Sequence, residues 1–148
     1  MGGLAPARHL TSATARPDLA RAGFVHQEHQ ITNPLPGRDA AITIAARYLE
    51  SAGFRIVDRA WTAPDGQLDI AAVDRQVFVV CQVTMRSRAR RGTPLEAAGQ
   101  ARIRRLRGLA VAWLNAHGMR FEQVRIDAVG LVSEGTGGYT IEHLRGVG

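Results

Sequence analysis

Between Asp39 and Leu144 the apolar residues alternate between helical and strand spacing. Ile42, Ala45, Ala46, Leu49 and Ala52 recur every three to four positions, which predicts an amphipathic helix over 39–52 with Asp39 as N-cap and Gly53 closing it. Phe54 to Trp61, Gln67 to Val73 and Gln76 to Met85 then read as three strands, punctuated by Ala63-Pro64-Asp65-Gly66 and Asp74-Arg75, so a meander is expected. Pro94 opens a second helix whose Ile103, Leu106, Ala110, Trp113 and Leu114 make one apolar face ending near His117-Gly118. Strands from Phe121 to Val132 and around Tyr139 to Leu144 complete the order αβββαββ, a mixed α/β layer fold in one domain over 38–148. Residues 1–37 carry Pro6, Pro17, Pro34 and Pro36 and few periodic apolar positions, and read as a flexible N-terminal extension.

Charge adds a second layer. The formal net charge is +6, and all 19 basic residues are arginine, which excludes lysine amine chemistry because a guanidinium stays protonated. Eight of those arginines and one acid, Glu96, lie between 86 and 107, a local charge of +7. Arg86, Arg88, Arg90 and Arg91 are expected in the loop after the third strand, and Arg102, Arg104, Arg105 and Arg107 on the second helix, with Arg104 facing away from its apolar stripe. A basic loop joined to a basic helix suits a phosphate backbone; its bland alternative is a solvated face of snorkelling arginines. No window reaches the roughly 18 consecutive apolar residues of a membrane span. The single cysteine, Cys81, sits in an apolar run and reads as a buried core thiol, which fits a reducing cytoplasm. His26 and His29 lack an acidic partner pattern and are not expected to bind metal.

Candidate chemistry centres on the second strand, where alternation puts Gln67, Asp69, Ala71 and Val73 on one face, as it does Gln82 and Thr84 on the third. An aspartate between Leu68 and Ile70 is costly to bury unless paired, hydrogen-bonded or holding a cation. Trp61 and Trp113 read as core aromatics, Trp61 having base stacking as its alternative, Asp127 as a salt-bridging residue and His143 as a packed or exposed strand-end residue.

Several segments together resemble the YraN family, whose fold is restriction-endonuclease-like and related to Holliday-junction resolvases. They are Ala45-Ala46-Arg47-Tyr48-Leu49, Gly66-Gln67-Leu68-Asp69-Ile70, Val79 to Arg86, Gly92 with Pro94, the arginine-rich second helix, Arg125-Ile126-Asp127 and His143-Leu144-Arg145-Gly146. The resemblance implies a mixed sheet flanked by helices and a PD-(D/E)xK site in which carboxylates hold Mg²⁺ or Mn²⁺ and a lysine positions the attacking water. This chain departs from that pattern: Ile42 stands for the helix glutamate, Gln67 for the turn glutamate, and Gln82 and Thr84 for the Glu-x-Lys pair, leaving Asp69 as the one match and the one metal ligand, if any. A residual site of Asp69 and Gln82 would bind Mg²⁺ or Mn²⁺ weakly or not at all.

Three functions follow as expectations. The first is a cytoplasmic, catalytically impaired nuclease-fold protein that binds DNA, branched or single-stranded, through the arginine loop and helix. The second is an active endonuclease rescued by migrated carboxylates, with Glu96, Asp65 or Asp39 approaching Asp69. The third is a protein-interaction module. Without catalysis, Asp69 is expected to be paired with an arginine, Arg86 or Arg102.

Overall fold

The computed structural model describes residues 26–30, 36–87, 99–134 and 138–147. Its elements are β1 (His26–Gln30), α1 (Arg38–Ser51), β2 (Arg55–Ala63), β3 (Gly66–Asp74), β4 (Val77–Ser87), α2 (Gly99–Ala116), β5 (Gln123–Ser133) and β6 (Gly138–Leu144). From α1 onward the order is the αβββαββ that the periodicity predicts. The strands form one sheet in the order β1-β6-β5-β4-β3-β2. Hairpins make the β2–β3, β3–β4 and β5–β6 pairs antiparallel, and α2 carries the chain over the sheet so that β4 and β5 run parallel.

Alternation along β4 sorts the core into two layers. Val79, Cys81 and Val83 pack with Ala41, Ala45 and Leu49 of α1, while Phe78 and Val80 pack with Leu106, Leu109, Ala110 and Trp113 of α2. A strand buried on both faces reads as an unbroken apolar run, as residues 77–81 do. Among the described residues no helix is long and apolar enough to cross a membrane.

Four local expectations are corrected. His26–Gln30, assigned to the flexible extension, form an edge strand antiparallel to β6, with His26 opposite Glu142 and Gln30 opposite Gly138. The period-2 signal is weak in so short a polar segment, and backbone pairing supplies the order. The α1 N-cap is Gly37, with Asp39 inside the first turn. Arg86 belongs to β4, which pairs with β5 as far as Ser87. Finally, strand alternation breaks at Asp69: Leu68 and Ala71 face α2, whereas Ile70 and Ala72 face α1. Residues 88–98, including the Pro94 start expected for α2, lie outside the described residues.

Candidate functional site

The break at Asp69 creates the site. Ladder pairing between β3 and β4 begins at Ile70 opposite Cys81, so Val83 N–H, two residues further along β4 and turned to the β3 side, needs another acceptor. The Asp69 carboxylate supplies it, Oδ2 accepting from Val83 N at 2.8 Å. The same oxygen accepts from Gln82 Nε2 at 3.3 Å and from the Arg38 guanidinium, while Oδ1 accepts from Gln67 Nε2 at 3.4 Å. Asp69 is only 3% exposed. Bonds from an arginine and three neutral donors are what make so buried a carboxylate tolerable.

Arg38 is the residue that sequence reading missed. It is the first residue of α1, and its Nη1 also donates to Val83 O at 3.1 Å. The expected partners of Asp69 are not used. Arg86 is turned to Glu142, 3.1 Å away and 4% exposed, and Arg102 makes no bond to Asp69. A signal for Arg38 was present: a cation in the first turn of a helix opposes the macrodipole, so its position calls for a local reason.

Above Asp69 a cleft of about 320 Å³ is lined by Arg38, Gly66, Gln67, Gln82, Arg102, Arg105, Leu106 and Leu109. Arg102 is half-buried and Arg105 exposed; neither makes an ion pair among the described residues. Arg104 and Arg107 are exposed on α2 outside the cleft. Arg88, Arg90, Arg91 and Glu96 lie outside the described residues. Asp39 and Asp65 are exposed and do not line the cleft, and Ile42 is buried in the α1 layer. Gly66 adopts φ +146°, and Ala60, between Arg59 opposite Ile70 and Trp61 opposite Leu68, is held at φ +49°. Positive-φ backbone thus lies opposite Asp69 on β2 and three residues before it on β3.

The residues present do not fit a divalent cation. Oδ2 of the single carboxylate is already shared by three donors, Gln67 and Gln82 turn amide nitrogens towards it, and Thr84 offers only a neutral hydroxyl. Hard cations need several oxygen ligands with negative charge among them. Among the described residues no group of three His, Cys, Asp or Glu is placed to hold a metal. The guanidinium of Arg38 supplies the positive charge at Asp69 instead.

A second polar cluster is built into the core under the C-terminal end of the chain. Asp127, fully buried, accepts from Arg125 Nε at 2.8 Å and Nη2 at 3.0 Å, from Gly146 N at 3.0 Å, and from His143 Nε2 at 2.9 Å. With Nε2–H donating, Nδ1 of His143 is the acceptor for the Tyr48 hydroxyl at 3.0 Å. Arg125 also reaches Asp74 at 3.0 Å. Burial raises the Asp127 pKa, but the bonds from His143 and Arg125 outweigh it and hold the carboxyl below its usual value. Burial pushes the His143 pKa down against the pull of Asp127, and pushes Tyr48 and Cys81 up. Every polar atom points inward to a partner, so the cluster pins α1, β5, β6 and the segment after β6 together. Asp127 is salt-bridged and His143 packed, the readings the sequence favours. Trp113 is likewise core, stacked on Phe78 and His117 with Nε1 donating to Asp58 at 2.7 Å.

The model of the uncharacterised protein family UPF0102 matches residues 43–131, from α1 to β5. A UPF0102 protein of Arthrobacter sp. (strain FB24) is 45% identical over 105 residues, covering 71% of this chain and 89% of that protein. One from Renibacterium salmoninarum is 44% identical over the same shares, and one from Frankia casuarinae is 37% identical over 103 residues, 70% of this chain and 87% of that protein. The matched span contains Asp69 with its two glutamine neighbours and the whole of α2, and on these matches the chain belongs to the uncharacterised protein family UPF0102, the YraN family that its motifs resemble.

Proposed function

We propose that this protein binds DNA through the arginines of α2 and of the segment before it, without hydrolysing it by the metal-dependent route that the family resemblance implies. The observation that carries the non-hydrolytic part is the state of Asp69, whose carboxylate is bonded by Arg38, Val83 N–H and Gln82. Supporting it, Arg102, Arg104, Arg105 and Arg107 make no ion pair among the described residues, although they stand on one helix. Guanidinium groups without an ion pair among the described residues can displace counterions from a phosphate backbone. Such a protein would work in the cytoplasm, where DNA is accessible.

The test is binding to branched and single-stranded DNA over a range of salt, with cleavage followed in Mn²⁺ at excess protein. If each of the four α2 arginines meets one phosphate, the slope of log K against log[salt] on duplex arms is about −3.6, so affinity falls roughly 10²-fold between about 50 and 200 mM salt. Changing Arg104 and Arg107 to alanine should flatten that slope by about 1.8. An unchanged slope overturns the interface, and cleavage that disappears in Asp69→Ala overturns the non-hydrolytic part.

A further inference from the structure

We propose that the cleft over Asp69 is a metal-free seat for a phosphate monoester, with Arg38 as its resident cation. The inference deepens the DNA-binding reading by naming what this part of the surface recognises, and it rests on that reading only for the polymer.

The chemistry begins with the charges on the lining. Three arginines, Arg38, Arg102 and Arg105, stand against one aspartate, Asp69, leaving two net positive charges in one concavity. A phosphodiester brings one negative charge, whereas a phosphate monoester brings about 1.5 to 2 near neutral pH. The monoester is therefore the better complement. Size points the same way: about 320 Å³ is at the small end of ligand sites. Within its walls it has room for a phosphate with at most a nucleoside attached.

Arg38 is prepared for the role. Of the five N–H groups of a guanidinium, one is used on Asp69 and one on Val83 O. Three remain, on a side chain 44% exposed at the cleft wall. Asp69 and the Val83 carbonyl act as positioning groups: they fix the plane of the guanidinium and leave its outer edge free for two phosphate oxygens. Arg102 and Arg105, from the first half of α2, close the other side, and Leu106 and Leu109 floor it with apolar surface. A cation that the fold itself supplies needs no acidic ligand set, which is consistent with Gln67 and Gln82 standing beside Asp69.

The experiment uses the full chain in EDTA. Its probes are inorganic phosphate, a deoxynucleoside 5′-monophosphate, and one single-stranded oligonucleotide prepared with a 5′-phosphate and with a 5′-hydroxyl. The 5′-phosphorylated strand should bind about tenfold or more tightly than the hydroxyl form, the worth of one charge-assisted hydrogen bond. Arg102→Ala with Arg105→Ala, two changes away from the core that leave the fold intact, should abolish that preference. Asp69→Asn, isosteric and still able to accept from Val83 N–H, releases Arg38 from its counter-charge and should tighten phosphate binding several-fold. Equal binding of the two strands, a preference that survives the double substitution, or weaker phosphate binding in Asp69→Asn each overturns the seat. Binding of inorganic phosphate and monophosphate without the strand would assign the seat to free metabolites and sink the DNA reading alone. Strand binding sensitive to Arg104 and Arg107 but blind to the 5′ end would sink the seat alone.

Discussion

Replacing Tyr48 by phenylalanine removes one oxygen from the core and tests whether the buried cluster around Asp127 is wired as described. The ring keeps its edge-on contact with His143, centroids 5.4 Å apart, so packing is conserved and the loss is confined to the 3.0 Å bond to Nδ1. His143 is fully buried, and water does not replace the missing donor. An orphaned buried acceptor costs about 1–3 kcal/mol, which in a domain of this size lowers Tm by about 4–12 °C. Thermal and urea unfolding at pH 8, followed by circular dichroism, measure it. The wild-type pH dependence has a definite sign. Burial holds the His143 pKa below its unfolded value of about 6.5, so the unfolded chain takes up a proton that the folded one refuses. Stability is full above about pH 6.5 and falls as pH drops, with a further loss below about pH 3.9 as Asp127, its pKa lowered in the fold, is protonated. A destabilisation below about 0.5 kcal/mol at pH 8 refutes the hydrogen-bond order Tyr48–His143–Asp127.

Three smaller perturbations test the frame of the cleft. Gly66→Ala should cost about 1–3 kcal/mol in urea unfolding through its φ of +146°, since the added Cβ meets only Leu109 Cδ1 at an ordinary 3.7 Å. Ala60→Gly trades relief of a left-handed alanine, about 1 kcal/mol, against added chain entropy of similar size, so stability should stay within about 0.5 kcal/mol; a clear loss would mean that Ala60 is not strained. Trp113→Phe gives up the 2.7 Å bond to Asp58, whose carboxylate is exposed enough to take water, so a loss of about 1–2 kcal/mol is expected from equilibrium unfolding.

The elements were legible because their signals are local. The 3.6-residue spacing of Ile42, Ala45, Ala46 and Leu49 and the apolar run through 77–81 depend on no distant residue, and the helices and central strands form where they predict. β1 was not legible, since a polar five-residue strand is ordered by pairing with β6, which lies over a hundred residues away. The site divides the same way. Asp69 was conspicuous as an acid flanked by Leu68 and Ile70, but its partner sits 31 residues upstream, and no spacing rule connects them. The strand-alternation argument for its face failed for a related reason: it assumes an unbroken ladder, and Asp69 stands where the ladder stops. Arg86 was misplaced because nothing local marks the end of β4, and its partner Glu142 is reached only through the neighbouring strands.

The four positions that separate this chain from a metal-binding pattern do not act independently. Gln82→Glu alone restores one carboxylate beside Asp69, but Arg38 stays within reach of both, and a tethered guanidinium competes with a dissolved cation at no entropic cost of capture. That variant should bind Mn²⁺ no better than wild type in calorimetry. Removing Arg38 as well leaves two carboxylates on adjacent strands without the cation bonded to Asp69, with Arg102 and Arg105 on the cleft lining but not bonded to it, so one of the carboxylates is driven to protonate or take up a metal. The Gln82→Glu, Arg38→Ala double variant should therefore gain Mn²⁺ affinity at least about tenfold over the single one, with Mn²⁺ raising its Tm, and Asp69→Asn should erase both effects. Equal Mn²⁺ binding by the single and double variants would mean that Arg38 is not the group that keeps metal out. The change of charge type at this site would then lie with the glutamines alone.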